Sequence, residues 1–342
     1  MEKKQESHKH HFVPQFILKN FADDEKQLYH WDNVEKKLEK KSVSEVFMDN
    51  DMYRDEKQSA ENPTAIEDDF SVFERKIAML IQDKIIDQSE IRISKKENEE
   101  LRIFLTLLSL RSRYRKEQYI NDSFDSDTRK ELFNYQQDSD FESLWKRELG
   151  LLAKIRNYDK IRKNKNIDAA LKREFFDDYD NFYMSFIETE EENFLITDVN
   201  PTSEVYPLDI YCAMHYLYPL SPKRMLLLSH NEFINGKNGS QLYNYFKCFS
   251  KIDGKLYEHA EEESDHMKDK EEYIYLVKKC SKESAMYLNC LLLNETRKEM
   301  GFKNPNLIID TLKKYENIRH IKNDYKLLKQ EIEEKIKKSV DT

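Results

Sequence analysis

Glycine is nearly missing from this chain: 5 residues in 342, at Gly150, Gly236, Gly239, Gly254 and Gly301. That is about a fifth of the usual ~7% share. No two have the spacing of a dinucleotide fingerprint or a phosphate-binding loop, which need glycine so that backbone can approach a phosphate with no Cβ between them. Large barrels and propellers, which place many glycines in turns, are excluded with them. Cysteine is equally sparse: Cys212, Cys248, Cys280 and Cys290 form no CxxC pair and no zinc-type cluster. Free, reduced thiols are expected. The opening MEKKQESHKHHF has no apolar signal-peptide core, and the longest apolar run, 101–110, carries a charge and is too short to span a bilayer. The expectation is a soluble, cytoplasmic protein with no membrane partner. No GxSxG elbow and no HExxH string is present, and no cysteine has a histidine partner in sequence.

What the chain does have is charge and rings. Charged residues make up 36% and hydrophobic ones 39%, yet 20 Tyr, 19 Phe and 2 Trp bring the aromatic share to 12%. A disordered acidic chain would lack those rings, so this one folds. Its length suits two ordinary domains or one large one. A formal net charge of −9 disfavours whole-surface attraction to nucleic acid or anionic lipid, but leaves room for a local basic groove.

Periodicity divides the chain. Residues 1–10 form a polar tail. In HHFVPQFILKNFA, Pro14 suits the first turn of a short helix whose apolar side is Phe12, Phe16, Ile17 and Phe21. Residues 27–32 and 35–47 alternate as two strands of a small N-terminal β-hairpin, and 48–63 read as loop. Thr64 and Glu67 fit a capping box for a helix to about Gln88, with Ile66, Phe70, Phe73, Ile77 and Leu80 as its stripe. Ser94 or its polar neighbours start a second helix through 101–117, and further helices are expected over 126–158 and 167–176. Short strands punctuated by Pro201, Pro207, Pro219 and Pro222 follow in 177–260. The chain is expected to be helical over 271–300 and to end, over 301–342, in an amphipathic helix carrying Ile318, Ile321, Tyr325, Leu328, Ile332 and Ile336. The fold class expected is α+β, mainly helical, with little sheet. The last stripe is covered either by the chain's own core or by a homodimer partner through the C-terminal helix.

The string HxVPxFxLxxF at His11–Phe21 resembles the opening motif of a bacterial family known as domain-of-unknown-function family 4238. The likeness spans residues 9–295: an early acidic helix with Glu67 and Glu74, Arg111 closing an apolar helix, a strand ending in Thr-Asp before a proline, and PLSP at 219–222 before the strand 225–228. One departure is that TDVNPT places Asp198 three residues before Pro201, where members have Asp-x-Pro. Either the loop is one residue longer or Asn200 takes the acidic role. The resemblance implies a link to bacterial defence against phage, since some members are associated with it, and no particular chemistry.

Residue chemistry adds candidates. His10 and His11 stand ahead of a helix start, where free N–H groups attract anions and a neutral histidine can take a proton from water. Gln15 lies one turn on and shares that side. Glu67 and Glu74, seven apart on one helix face, could hold Mg²⁺ or Mn²⁺ through oxygen ligands. Arg111, Arg113 and Arg115 around Tyr114 could hold a phosphate backbone, with Arg111 alternatively turned inward onto a carboxylate. Asp198 and Asn200 end a strand, a common place for site residues. The leading expectation is an intracellular anti-phage effector acting on nucleic acid as a metal-assisted phosphodiesterase. In it His11 is general base with His10, Gln15 and Asp198 beside it, Glu67 and Glu74 bind metal, and Arg111, Arg115 and Asn200 bind substrate. The alternative is a non-enzymatic sensor or interaction module in which the histidine motif is structural.

Overall fold

The computed structural model describes residues 8–57, 61–124, 140–155, 157–165, 181–191, 193–207, 212–230, 271–318 and 321–340, with a few isolated positions between them. The helices expected over 126–139 and 167–176 lie almost wholly outside the described residues. Nine helices are described: α1 (Gln15–Asn20), α2 (Ala65–Ile81), α3 (Lys95–Leu110), α4 (Arg113–Ile120), α5 (Phe141–Lys154), α6 (Tyr158–Lys163), α7 (Lys282–Glu295), α8 (Pro305–Tyr315) and α9 (Lys326–Val340).

The small-sheet expectation is overturned. Among the described residues helix accounts for 45% and strand for 25%, in four sheets, so the fold is α+β without being mainly helical. A two-stranded sheet pairs β1 (Lys9–His11) with β4 (Met48–Asn50), and another pairs β5 (Glu90–Ser94) with β11 (Glu272–Leu276). The hairpin strands β2 (Gln27–Asp32) and β3 (Lys37–Ser42) extend into a four-stranded sheet of order β3-β2-β13-β7, with β7 at Ile196–Thr197 and β13 at Glu299–Phe302. A five-stranded sheet has the order β12-β6-β10-β9-β8, comprising Lys278–Cys280, Phe182–Thr189, Arg224–His230, Cys212–Pro219 and Thr202–Pro207.

Two physical facts hid these strands. The strands outside the expected ones are three to five residues long, and the pairings are remote: β5 meets β11 through Ile91↔Tyr275, and β2 meets β13 through His30↔Gly301. The scarcity of glycine also misleads, because left-handed turn positions fall on Lys26, Lys36, Phe47, Asp51 and Asp122 instead. Strands β11, β12 and β13 likewise interrupt the segment expected to be helical after 271.

The five-stranded sheet separates two cores, and β10 shows why its sequence is apolar throughout. Leu226 and Leu228 face a core built with Phe104, Leu108 and Trp145, while Met225 and Leu227 face one built with Trp31, Leu288, Phe302 and Leu328. A strand buried on both faces needs no polar alternation. Helix α2 carries its stripe as expected, with Ile66, Phe70, Phe73, Ile77 and Leu80 buried. The capping box expected there is not made: Thr64 makes no side-chain cap, and Glu67 leaves one buried carboxylate oxygen without a partner. It is α3 that has the box, Ser94 accepting from the Glu97 N–H and Glu97 accepting from the Ser94 N–H at 2.8 Å.

The C-terminal amphipathic segment is two helices, not one. Tyr325 donates to the Leu293 carbonyl at 2.8 Å, and Asn323 donates to the Leu293 and Thr296 carbonyls at 2.9 and 2.8 Å, so residues 321–325 turn back to cap α7. Leu328 and Ile332 of α9 then bury against α8 and β3. The chain's own core covers Tyr325, Leu328 and Ile332, packs partly against Ile318 and Ile336, and leaves Ile321 exposed.

Gly301 sits where three side chains converge on β13. A Cβ there would lie 2.4 Å from Leu28 Cδ1 and 3.3 Å from both Ile196 Cγ2 and Phe47 Cε2. Gly301→Ala is therefore expected to cost about 1–3 kcal/mol by overpacking. A urea midpoint equal to wild type would show that Leu28 can move aside.

Candidate functional site

Arg111 organises the motif region from the C-terminal end of α3. Its side chain is buried beneath β1, where it donates through Nη2 to the His11 carbonyl, through Nη1 to Glu74, and through Nε to the Tyr53 hydroxyl at 3.3 Å. The guanidinium lies 4.4 Å from the Phe70 ring centre and 5.5 Å from that of Tyr53. Burial opposes its charge, but Tyr53, Glu74 and Glu67 outweigh burial and hold it protonated. Tyr53 donates in turn to the Arg111 carbonyl at 3.1 Å and stacks on His10, whose Nδ1 accepts the Tyr53 N–H at 2.9 Å.

His11 is locked in place. Its Nε2 donates to the Val43 carbonyl at 3.2 Å, which leaves Nδ1 to accept from Gln15 Nε2 at 3.3 Å. Burial first, offset by the Val43 bond, moves its pKa down to about 4. Both ring nitrogens are thus occupied inside the protein. His10, His11, Gln15, Glu67, Glu74 and Arg111 do converge, around a salt bridge. Among the described residues no group of three or more His, Cys, Asp or Glu is arranged to hold a metal ion.

Two residues further on, the chain turns over. Ser112 is extended (φ −62°, ψ 150°) and N-caps α4, its hydroxyl accepting from the Arg115 N–H. Arg113 consequently leaves on a different side from Arg111. It grips Asp49 of β4 through Nη2 and Nε at 2.7 and 3.1 Å and reaches Glu299 Oε1 at 3.3 Å. Arg115 stays on α4, bonded to Gln118 at 2.8 Å.

Glu299 joins these groups to a histidine that sequence reasoning missed. Its Oε2 accepts from His30 Nε2 and from the Phe47 N–H, each at 2.9 Å. With Nε2 donating, His30 keeps its lone pair on Nδ1, which is buried and has no hydrogen-bond partner. Phe47 holds a φ of 52°, an uncommon conformation for a bulky residue. His30, Asp32, Asp49, Arg113, Lys298 and Glu299 help line a cavity of about 600 Å³, within the range of small-ligand pockets. Asp198 stands behind this wall: its carboxylate accepts the Arg297 and Lys298 N–H groups at 3.0 and 2.8 Å, and its own N–H bonds to the Glu299 carbonyl at 3.1 Å. Burial pushes its pKa up. It fixes the strand that presents Glu299. Asn200 is buried nearby in sequence with neither amide atom partnered.

The missed residues had weak local signals. His30 is a polar residue between Tyr29 and Trp31 in a strand, Glu299 sits in a four-residue strand that also holds Gly301, and Asp49 falls in a segment read as loop. Another histidine pair, His215 Nδ1 with Ser229 Oγ at 2.8 Å, is fully interior, where burial drives the His215 pKa down to about 3.

Two outcomes test the Arg111 arrangement. Arg111→Met leaves Glu74 and the His11 carbonyl without their buried donor and is expected to cost about 3–5 kcal/mol of unfolding free energy. A loss below one-third of that in urea denaturation would show the bridge to be peripheral. Glu67, whose pKa burial raises from 4.5 to about 7, contributes stability that is complete at acid pH and lost as pH rises through 7. His11, displaced downward, contributes in the opposite sense and loses stability as pH falls from 6.5 towards 4. Glu67→Gln removes only the first effect, so its melting temperature should gain on wild type between pH 4.5 and pH 7. A constant difference across that range would remove Glu67 from the pH response.

Neither the curated proteins nor the solved structures contain a match to this chain. The model of the family described as "Protein of unknown function (DUF4238)" matches residues 9–306. The opening motif, Arg111, the His30–Glu299 pair and every described element before α8 lie within that span, and the chain belongs to this family.

Proposed function

We propose that this protein is a histidine-dependent phosphoester hydrolase that acts on nucleic acid or its nucleotides in the bacterial cytoplasm, as part of defence against phage. The observation that carries the chemistry is His30: a ring beside the cavity, oriented by the Glu299 carboxylate, whose second nitrogen is buried and has no partner. A carboxylate-oriented histidine with one nitrogen left over is the arrangement of a general base and its orienting acid. In this proposal a small shift of the ring opens Nδ1 to the cavity, where it takes the proton of an attacking water, and Glu299 stabilises the imidazolium that results. Arg113, fixed by Asp49 and Glu299, supplies positive charge for the phosphoryl oxygens, and Lys116 and Lys298 extend it along the cavity. In this reading His11, Gln15, Glu67, Glu74 and Arg111 build the wall, and the base is His30, not His11. The defence role rests on the family resemblance alone.

The second reading, a sensor or interaction module with a structural histidine motif, is favoured by the occupied ring of His11 and by the cavity's charge. Asp32, Glu35, Glu45, Asp49, Glu117 and Glu299 face four cations there, a balance suited to a basic segment of a partner.

His30→Gln separates the two, since Gln keeps a donor for Glu299 and changes volume little. Cells carrying it are expected to lose protection against phage and any turnover of nucleic acid by at least about 100-fold, with the purified variant melting within a few degrees of wild type. Protection equal to wild type would overturn the hydrolase and leave the interaction module.

A further inference from the structure

A second cavity, of about 840 Å³, opens where α2, α3, α5 and α6 approach one another. Lysines from all four helices line it: Lys76, Lys95, Lys96, Lys154 and Lys160. Two carboxylates oppose them, Glu99 and Glu100, and the described lining therefore carries a net +3 on a chain of net −9.

The local structure removes negative charge from this groove. Glu100 is buried at 2% side-chain exposure and anchors Lys76 at 2.5 Å, which holds that ammonium at the edge of the cavity. Glu97, the nearest other acid on α3, is turned into the Ser94 capping box and bonds to Lys84 at 2.8 Å. Lys154 is 61% exposed and meets Asp69 at 3.3 Å, a solvent-screened pair that a stronger anion can displace. The positive strip continues along α6, whose last turn holds Lys160, Arg162 and Lys163. Among the described lining residues there is no aromatic ring to stack on a base, and the Asn157 side-chain oxygen is engaged in capping α6. Flexible ammonium groups from four helices favour the repeating charge of a backbone over a fixed base contact.

We propose that this lysine groove is a binding site for the phosphodiester backbone of nucleic acid, independent of base sequence and separate from the His30 cavity. Backbone contacts of this kind release condensed counterions, so affinity must fall steeply with salt. Three to five phosphates would give a slope of log affinity against log salt of about −2 to −4.5.

The test uses the full chain and fluorescein-labelled 20-nucleotide homopolymers of DNA and RNA, single-stranded and duplex, in anisotropy titrations from 50 to 300 mM KCl. Wild type should bind with that slope, and Lys96→Glu combined with Lys160→Glu should weaken binding at least tenfold with an unchanged melting temperature. Lys337→Glu with Lys338→Glu, at the far end of α9, should leave affinity within twofold. His30→Gln should bind as wild type does, so loss of hydrolysis with retained binding would leave this site standing while testing the reading above. Salt-independent binding, wild-type affinity in the Lys96/Lys160 variant, or binding only to phosphatidylserine vesicles would each overturn the proposal.

Discussion

The buried guanidinium of Arg111 is the constraint on which the motif region depends. An ion removed from water is tolerated only when its donors are satisfied, and here they are satisfied by groups from three separate segments: the His11 carbonyl, Glu74 and the Tyr53 hydroxyl. Strand β1, helix α2 and the loop before it are thereby held to the end of α3. The histidine motif follows from this arrangement. His10 is stacked and bonded through Tyr53, and His11 is pinned between Val43 and Gln15, so neither ring is available without dismantling its support. Pro14 then starts α1 immediately after the strand, keeping Gln15 within reach of His11.

The same chain segment couples that support to the polar cavity. Because Ser112 is extended and begins a new helix, Arg111 and Arg113 serve different neighbours, one under β1 and the other across β4. Glu299 completes the link by receiving Arg113, His30 and the Phe47 N–H on one carboxylate. Phe47 in turn accepts the Phe12 N–H at 3.0 Å, which connects the strained residue back to the opening motif. An unusual backbone conformation of order 1–3 kcal/mol persists only where its surroundings over-determine it, and hydrogen bonds on both the N–H and the carbonyl of Phe47 do so here.

The sequence made the long, regular parts legible and concealed the rest for identifiable reasons. The stripe of α2 repeats over several turns, so its burial could be read directly. Glu67 could not, because the same spacing serves a capping box or an inward-facing carboxylate, and only Arg111 across the interface decides between them. The expectation of one continuous C-terminal helix fails because Ile318 to Ile336 keep helical spacing although α8 ends at Tyr315 and α9 begins at Lys326, with Asn323 and Tyr325 bonded instead to the end of α7. His30, Asp49 and Glu299 were invisible as a site because β13 pairs with β2 across some 270 residues and nothing local announces it. The inward turn of Arg111 was among the readings of the sequence, but its partner could be named only once the helices were packed.

Charge distribution separates the two cavities more sharply than the net charge of −9 would imply. At physiological salt a charge is felt over roughly 8 Å, so a ligand responds to the lining it enters and hardly to the molecule as a whole. The His30 cavity has six carboxylates against four cations, and its one arginine is already held by two of those carboxylates. Such a site cannot gather a polyanion by attraction; its strength lies in fixed geometry. The described lining of the groove between α2, α3, α5 and α6 has the converse character, with lysines in excess. Under the two proposals made above, capture and chemistry make opposite demands on charge and fall in different places: lysines where a chain of phosphates need only be retained, and a hydrogen-bonded histidine where a single proton must be moved.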